Sequence, residues 1–281
     1  MKIVYELELQ TGNHNEYWRD IEQLVIKHYD IVEKANELAP QMIKVHIHGK
    51  TDEIKSFFDD LRATNLKYSY VKRRFYSQKE IQRAQYVMMS VAQPWSSKEK
   101  YAESYGTIYT NGECSLCKKG KVQRSKLFVP ERKAIQYDIC TLIPEIIISE
   151  RLGGILEDNM CSGYILDDVY DWKTKRKTNL KQLKITNMLP SMSVESGIVE
   201  ERCPACHKTY LNGVKEGIIY TKKSIEKFKD FNYTSELYIM HKGVSIPRGQ
   251  CIVSNKIVKL FIEKDIKKLR SIYFEPIIFD G

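Results

Sequence analysis

Hydrophobic residues recur at every second position at the start of the chain: Ile3, Tyr5, Leu7 and Leu9. That period predicts a half-buried strand, and Gly12-Asn13 predicts the turn that ends it. From Tyr17 the spacing changes. Ile21, Leu24, Val25, His28, Ile31, Val32 and Leu38 fall at three- and four-residue steps, which predicts one helix face running to Pro40. Ile43, Val45 and Ile47 restore the strand period up to Gly49, and Thr51 is placed to cap a helix carrying Ile54, Phe57, Phe58 and Leu61. Tyr68, Tyr70 and Val71 predict a further strand. Ser77 and Glu80 have capping-box spacing before Ile81, Ala84, Val87, Met88 and Val91, read as a helix. The expected fold class is α/β (α+β), with a small N-terminal α/β sandwich over residues 1–95, ferredoxin-like in order. Residues 94–105 read as a linker, and 106–281 as an α+β domain.

Two segments of that second domain echo one another. Residues 146–169 run through a β stretch to Ser149, then a helix with Leu152, Ile155 and Leu156, then Tyr164-Ile165-Leu166. Residues 251–278 run to Ser254, then Ile257, Leu260, Phe261 and Ile266, then Ile272-Tyr273-Phe274. In both, the serine stands where a helix N-cap belongs. Duplication would produce the echo, and so would the commonness of strand–helix–strand units.

Composition narrows the class more than the function. Hydrophobic residues at 42% and charged residues at 29% of 281 are globular values. The net charge of +9 admits nucleic acid, an anionic surface or an acidic protein as partner and selects none. The N-terminus lacks the apolar core of a signal peptide, and no run approaches the roughly 20 apolar residues of a membrane span. A cytoplasmic, non-membrane protein is expected, and its seven cysteines, an odd number, argue against a full disulfide framework.

Four of those cysteines form two C-x-x-C pairs, Cys114/Cys117 and Cys203/Cys206, each flanked by turn residues. Such a pair places two thiolates on one turn, and two facing turns complete a tetrahedral zinc shell. The pairs are expected to share one structural Zn2+ in a split zinc ribbon, with residues 118–202 inserted between its halves. Unrelated thiols and redox chemistry are the alternatives, although neither pair sits at a helix N-terminus after an apolar strand. His207 is read as exposed. Cys140, Cys161 and Cys251 have apolar surroundings and read as core. His46 and His48 share a strand face without a recognisable third ligand, and Asp167, Asp168 and Asp171 read as a solvated turn before a nuclease-like cluster. No Walker loop, dinucleotide fingerprint, nucleophile elbow or H-E-x-x-H is present, so no catalytic residue is named and no enzyme is expected. Of the basic runs at Lys72–Arg74, Lys118–Lys121, Lys173–Lys177, Lys222-Lys223 and Lys267-Lys268, several have aromatics nearby, as base stacking with phosphate contact would use, but with acidic residues interspersed most of the runs read as ordinary solvated faces.

The two C-x-x-C pairs, the IIISERL and LKQLKI segments and the closing IVSNKIVKLF…IYFEPIIF resemble the double-CxxC proteins of bacterial toxin immunity, over residues 110–281. The usual Pro is missing from the first pair, and Lys118 and His207 stand where that family carries Gly. The resemblance implies that Cys114, Cys117, Cys203 and Cys206 are metal ligands. It also implies a non-enzymatic protein whose zinc-stiffened surface covers a toxin, with +9 favouring an acidic partner. A zinc-ribbon nucleic-acid-binding protein is the alternative.

Overall fold

The computed structural model describes residues 2–10, 16–39, 42–64, 66–91, 93–96, 99–110, 114, 116, 122–205, 209–214, 217–237 and 249–280. The chain divides into two units, Met1–Glu80 and Ile81–Gly281.

The first unit runs β1 (Lys2–Gln10), α1 (Glu16–Lys27), β2 (Val32–Ala39), β3 (Met42–Ile47), α2 (Thr51–Ala63) and β4 (Lys67–Phe75). Its antiparallel sheet has the order β2-β3-β1-β4, the split β-α-β arrangement of ferredoxin-like units. Leu7 and Leu9 of β1, and Ile43, Val45 and Ile47 of β3, bury one face against Ile21 and Leu24 of α1 and Ile54, Phe57 and Leu61 of α2. The helix expected from Tyr17 to Leu38 stops at Lys27. Residues 32–39 pair instead with β3, so Ile31 and Val32 enter the core from a turn and a strand. Tertiary pairing has overridden the helical spacing. At α2 the cap is one residue earlier than expected. Lys50 N donates to the Glu53 carboxylate at 2.7 Å, and Thr51 is already helical.

A short helix, α3 (Gln78–Arg83), carries the expected capping box, with Ser77 N donating to Glu80 Oε2 at 2.8 Å and Glu80 N to Ser77 Oγ at 3.3 Å. The helix does not continue. Residues 86–91 form strand β5 (Tyr86–Val91), which lies in the second unit between two antiparallel neighbours.

After β5 the second unit contains β6 (Tyr109–Thr110), β7 (Val122–Gln123), β8 (Leu127–Val129), α4 (Glu131–Ala134), β9 (Ile139–Leu142), β10 (Glu145–Ser149), α5 (Glu150–Asp158), β11 (Tyr164–Asp171) and β12 (Lys177–Ile185). There follow β13 (Ile198–Arg202), β14 (Thr209–Val214), β15 (Ile219–Thr221), β16 (Phe231–Tyr233), β17 (Cys251–Ser254), α6 (Asn255–Glu263), β18 (Ile272–Pro276) and β19 (Ile278–Asp280). Two main sheets result, ordered β8-β11-β12-β10-β9 and β16-β17-β5-β18. Strand alternation gives each sheet two faces. Ile146 and Ile148 of the first sheet, and Val87, Met89 and Val253 of the second, meet in one central core with Leu152, Leu156, Ile257 and Phe261 from α5 and α6. The opposite faces hold separate cores. Ile147 lies with Leu127, Val129, Val169 and Leu180 in one, and Ile252 with Ile218, Tyr220, Phe228 and Ile277 in the other.

The expected zinc ribbon is corrected. Each cysteine pair lies in sequence between the strands of a two-stranded ladder, β6-β7 or β13-β14, but among the described residues no metal-holding group of cysteines ties them into a ribbon. The observed class is a mixed α/β fold, without that element among the described residues.

Candidate functional site

The edge of the first large sheet gathers aromatic and basic side chains. β8 pairs parallel with the end of β11, placing Phe128 opposite Tyr170, their rings 6.3 Å apart. Lys126 Nζ stands 4.1 Å from the Tyr170 ring centroid, Lys175 Nζ 4.3 Å from that of Phe128, and Lys173 Nζ 5.4 Å from that of Trp172. These distances are within cation–π range. Trp172 is also fixed edge-on against Tyr105 at 5.5 Å. The lysines Lys173 and Lys175 owe their position to the turn between β11 and β12. Asp171 accepts from Thr174 N at 2.7 Å and Lys173 N at 3.1 Å, and these donors hold its carboxyl below the usual range. Lys175 completes the turn at φ 58°, in the left-handed region.

Beside this edge lies a depression of about 290 Å³ bordered by Ser125, Lys126, Asp167, Gln182 and Lys184. Its acids are neutralised locally. Asp167 pairs with Lys184, while Asp168 pairs with Lys177 at 2.8 Å and Lys181 at 2.9 Å. Those two lysines, Lys177 foremost, hold the Asp168 carboxyl down to about 2. Lys126, Lys173 and Lys175 pair with no carboxylate among the described residues. The net field at this edge is therefore positive. Beneath the depression, Gln182 is buried and donates to Gln123 Oε1 and Glu145 Oε2, each at 2.7 Å. Tyr109 Oη donates to the other Glu145 oxygen at 2.7 Å. This network fixes the floor.

The residues singled out from sequence fall in several places. Cys114 and Cys203 meet: both are buried and their sulfurs are 3.8 Å apart. Cys117, Cys206 and His207 lie outside the described residues. Among the described residues no group of three or more His, Cys, Asp or Glu side chains is placed to hold a metal ion. A closed zinc shell needs four ligands, so the expected structural Zn2+ is corrected. With it go both functions built on it, the zinc-stiffened toxin-binding surface and the zinc-ribbon nucleic-acid binder. Cys140 is buried in the Ile147 core, and burial pushes its thiol up to about 12. Cys161 is half-buried against the central core and Cys251 is buried within it. His46 lines a hollow of about 580 Å³ on the sheet face of the first unit opposite its helices, with Lys2, Glu6, Lys34 and Phe75. His48 Nδ1 is 4.0 Å from Glu33 Oε2. The Lys72–Arg74 run is split by its strand. Arg73 turns to Glu6 at 2.8 Å, while Tyr68 and Tyr70 lean on Phe58.

Sequence reading noted the Lys173–Lys177 run but missed its partners. Phe128 and Tyr170 are some forty residues apart, and only the parallel β8-β11 pairing makes them neighbours. Gln182 is one of several polar residues in Lys177–Ile185 and Glu145 opens an apolar strand, so neither carried a signal of its own.

Comparison with protein-family models and with curated proteins finds no match for this chain. The resemblance to double-CxxC immunity proteins is corrected accordingly, since the metal cluster that it rested on is not found among the described residues. Among those residues no helix is long and apolar enough to cross a membrane.

Proposed function

We propose that the protein binds single-stranded nucleic acid along the β8-β11 edge, as a cytoplasmic binding protein rather than an enzyme. The observation that carries this reading is the set of three lysine–aromatic pairs on one edge, Lys126 with Tyr170, Lys175 with Phe128 and Lys173 with Trp172. Bases offer π faces to such rings in any sequence, and phosphates match the lysines. A duplex hides its base faces, so unpaired strands suit this edge better. The neighbouring carboxylates, which would repel phosphate, are engaged by Lys177, Lys181, Lys184 and the Asp171 turn. That engagement also leaves them poorly placed to hold a catalytic metal.

Fluorescence anisotropy with labelled single-stranded oligonucleotides tests the reading. Binding should weaken with salt, and Lys126→Ala with Lys175→Ala should flatten the log–log salt slope by about 1.4 units, near 0.7 per lost phosphate contact. Phe128→Ala with Tyr170→Ala should cost about thirtyfold or more in affinity, since each stacked base contributes about 1–3 kcal/mol. Absence of binding at low salt would overturn the proposal. Binding that responds to the lysines but not to the aromatic rings would point instead to an acidic protein surface.

A further inference from the structure

We infer that residues 81–281 are two copies of one structural motif, fused in tandem, each lending its first strand to the sheet of the other. The correspondence runs element by element. Copy one comprises β5, a 3-10 turn (Ala102–Tyr105), the β6-β7 ladder with its cysteine pair, β8, α4, β9, β10, α5 and β11. Copy two comprises β12, a 3-10 turn (Val194–Ser196), the β13-β14 ladder with its cysteine pair, β15, a 3-10 turn (Lys222–Lys227), β16, β17, α6 and β18-β19. The order is the same throughout. β12 belongs to copy two by sequence but sits between β10 and β11 of copy one. β5 belongs to copy one and sits between β17 and β18 of copy two. Each inserted strand is antiparallel to both neighbours, and each copy ends in a parallel pair, β8-β11 or β15-β19.

Matching side chains make matching bonds. Phe128 N donates to Thr107 Oγ1 at 3.1 Å, and Ile219 N to Ser196 Oγ at 3.0 Å. Ser149 N donates to the Asp138 carbonyl at 2.9 Å and Ser149 Oγ to its carboxylate at 2.6 Å; Ser254 does the same with Asp230 at 3.0 and 2.7 Å. Both helices end through a residue at positive φ that is not glycine, Met160 at 49° and Asp265 at 45°. Two unrelated strand–helix–strand units have no reason to share that rare conformation at the same offset from the capping serine.

Contacts between the copies are reciprocal, the signature of a two-fold interface. Arg151, two residues after its serine, donates to the carbonyls of Lys264 and Asp265, each at 3.3 Å. Lys256, two residues after the other serine, donates to the carbonyl of Met160 at 3.4 Å. Lys267 N donates to Asp138 Oδ2 at 2.8 Å, and Ser162 N to Asp230 Oδ2 at 2.9 Å. Gly163 admits this approach: it lies at φ 91°, and a Cβ there would stand 2.1 Å from the Phe231 carbonyl oxygen. Across such an axis equivalent residues meet, as the sulfurs of Cys114 and Cys203 do at 3.8 Å. The two copies join through the exposed turn between β11 and β12, so that turn is where the fused pair can be cut.

The test places a specific protease site between Thr174 and Lys175 of the full chain. After cleavage, the two fragments are separated in denaturant and refolded apart or together, with assembly followed by size exclusion and hydrogen exchange. Fragments refolded together should return as a 1:1 complex with the amides of β5 and β12 protected. Refolded apart, neither copy should form a monomer with those strands protected; self-association into a homodimer would support the inference further. A monomeric fragment protected over 86–171 or over 177–280 would overturn it. In the cleaved complex carrying Cys117→Ala and Cys206→Ala, diamide should link the fragments through Cys114 and Cys203. The two thiols give two electrons and two protons to the azo bond, which becomes the hydrazine. Failure of peptide mapping to find that link in the assembled complex would overturn the axis.

Discussion

The two outer cores of the second unit occupy equivalent places and are filled differently. In one, Ile147, Leu127 and Val169 surround a floor that includes the buried amide of Gln182, tied to Gln123 and Glu145. In the other, Ile252, Ile218 and Ile277 pack with Met88, Phe228 and Phe279, and Met88 stands where the first core has Gln182. That equivalence follows from register: Gln182 faces Ile147 across its ladder and Met88 faces Ile252. One backbone plan thus supports an apolar plug on one side and a hydrogen-bonded floor on the other. Among the described residues, the lysine–aromatic edge lies on the side with the polar floor. Where two copies of a plan diverge, the departure from simple packing marks the side with a task beyond stability.

The strongest way to break the comparison is to show that the cores do not bear load equally. Ile147 and Ile252 are both almost fully buried at matching register. Ile147→Ala and Ile252→Ala should each destabilise by about 2–5 kcal/mol, through lost transfer energy and residual cavity. Urea denaturation of the two variants checks this. A cost near zero for either one would mean that its core is not packed as its counterpart is.

A smaller effect sharpens the chemistry of the difference. Met88→Gln puts an amide among the apolar side chains of Ile218, Ile252 and Phe228, and should cost about 1–3 kcal/mol. Gln182→Met removes the donor shared by Gln123 and Glu145 but leaves Glu145 its bond from Tyr109. It should cost about 1 kcal/mol, while loosening the floor beneath Lys126 and Lys184. If Gln182→Met left oligonucleotide affinity untouched, the polar floor would be structural only.

Much of this plan was open to sequence reading, but unevenly. The strands holding Leu7, Val45 and Ile147 are plain from their period and apolar content. Both capping serines could be placed too, because each precedes an apolar helical stripe. What failed was partnership. Residues 32–39 and 86–91 have spacing compatible with a helix and become strands because neighbours pair with them. The four-cysteine zinc expectation joined two C-x-x-C pairs on their spacing and flanking turn residues; Cys114 and Cys203 do meet, but among the described residues two sulfurs are not a coordination shell. The aromatic edge was invisible for the same reason in reverse. Phe128 and Tyr170 carry no common motif, and a parallel ladder between distant segments is the sole thing that makes them one surface.

The finest distinction concerns the capping serines themselves. Ser149 Oγ donates to Asp138 and also accepts from Leu152 N at 3.1 Å, so it caps α5 fully. Ser254 Oγ donates to Asp230 at 2.7 Å but accepts no helix N–H. Ser149→Ala should therefore cost about 1 kcal/mol or slightly more, the usual value of an N-cap with a charge-assisted bond added. Ser254→Ala loses only the bond to the carboxylate. Asp230 keeps donors from Ser162 N at 2.9 Å and Ser162 Oγ at 3.0 Å, so the loss should be some tenths of a kcal/mol smaller. Paired thermal melts resolve a difference of that size when both variants unfold in one transition. Equal costs would show that the two helix starts are equivalent in solution despite their different hydrogen bonds. A larger cost for Ser254→Ala would mean that the carboxylate latch, rather than the cap, is the stronger of the two devices the copies share.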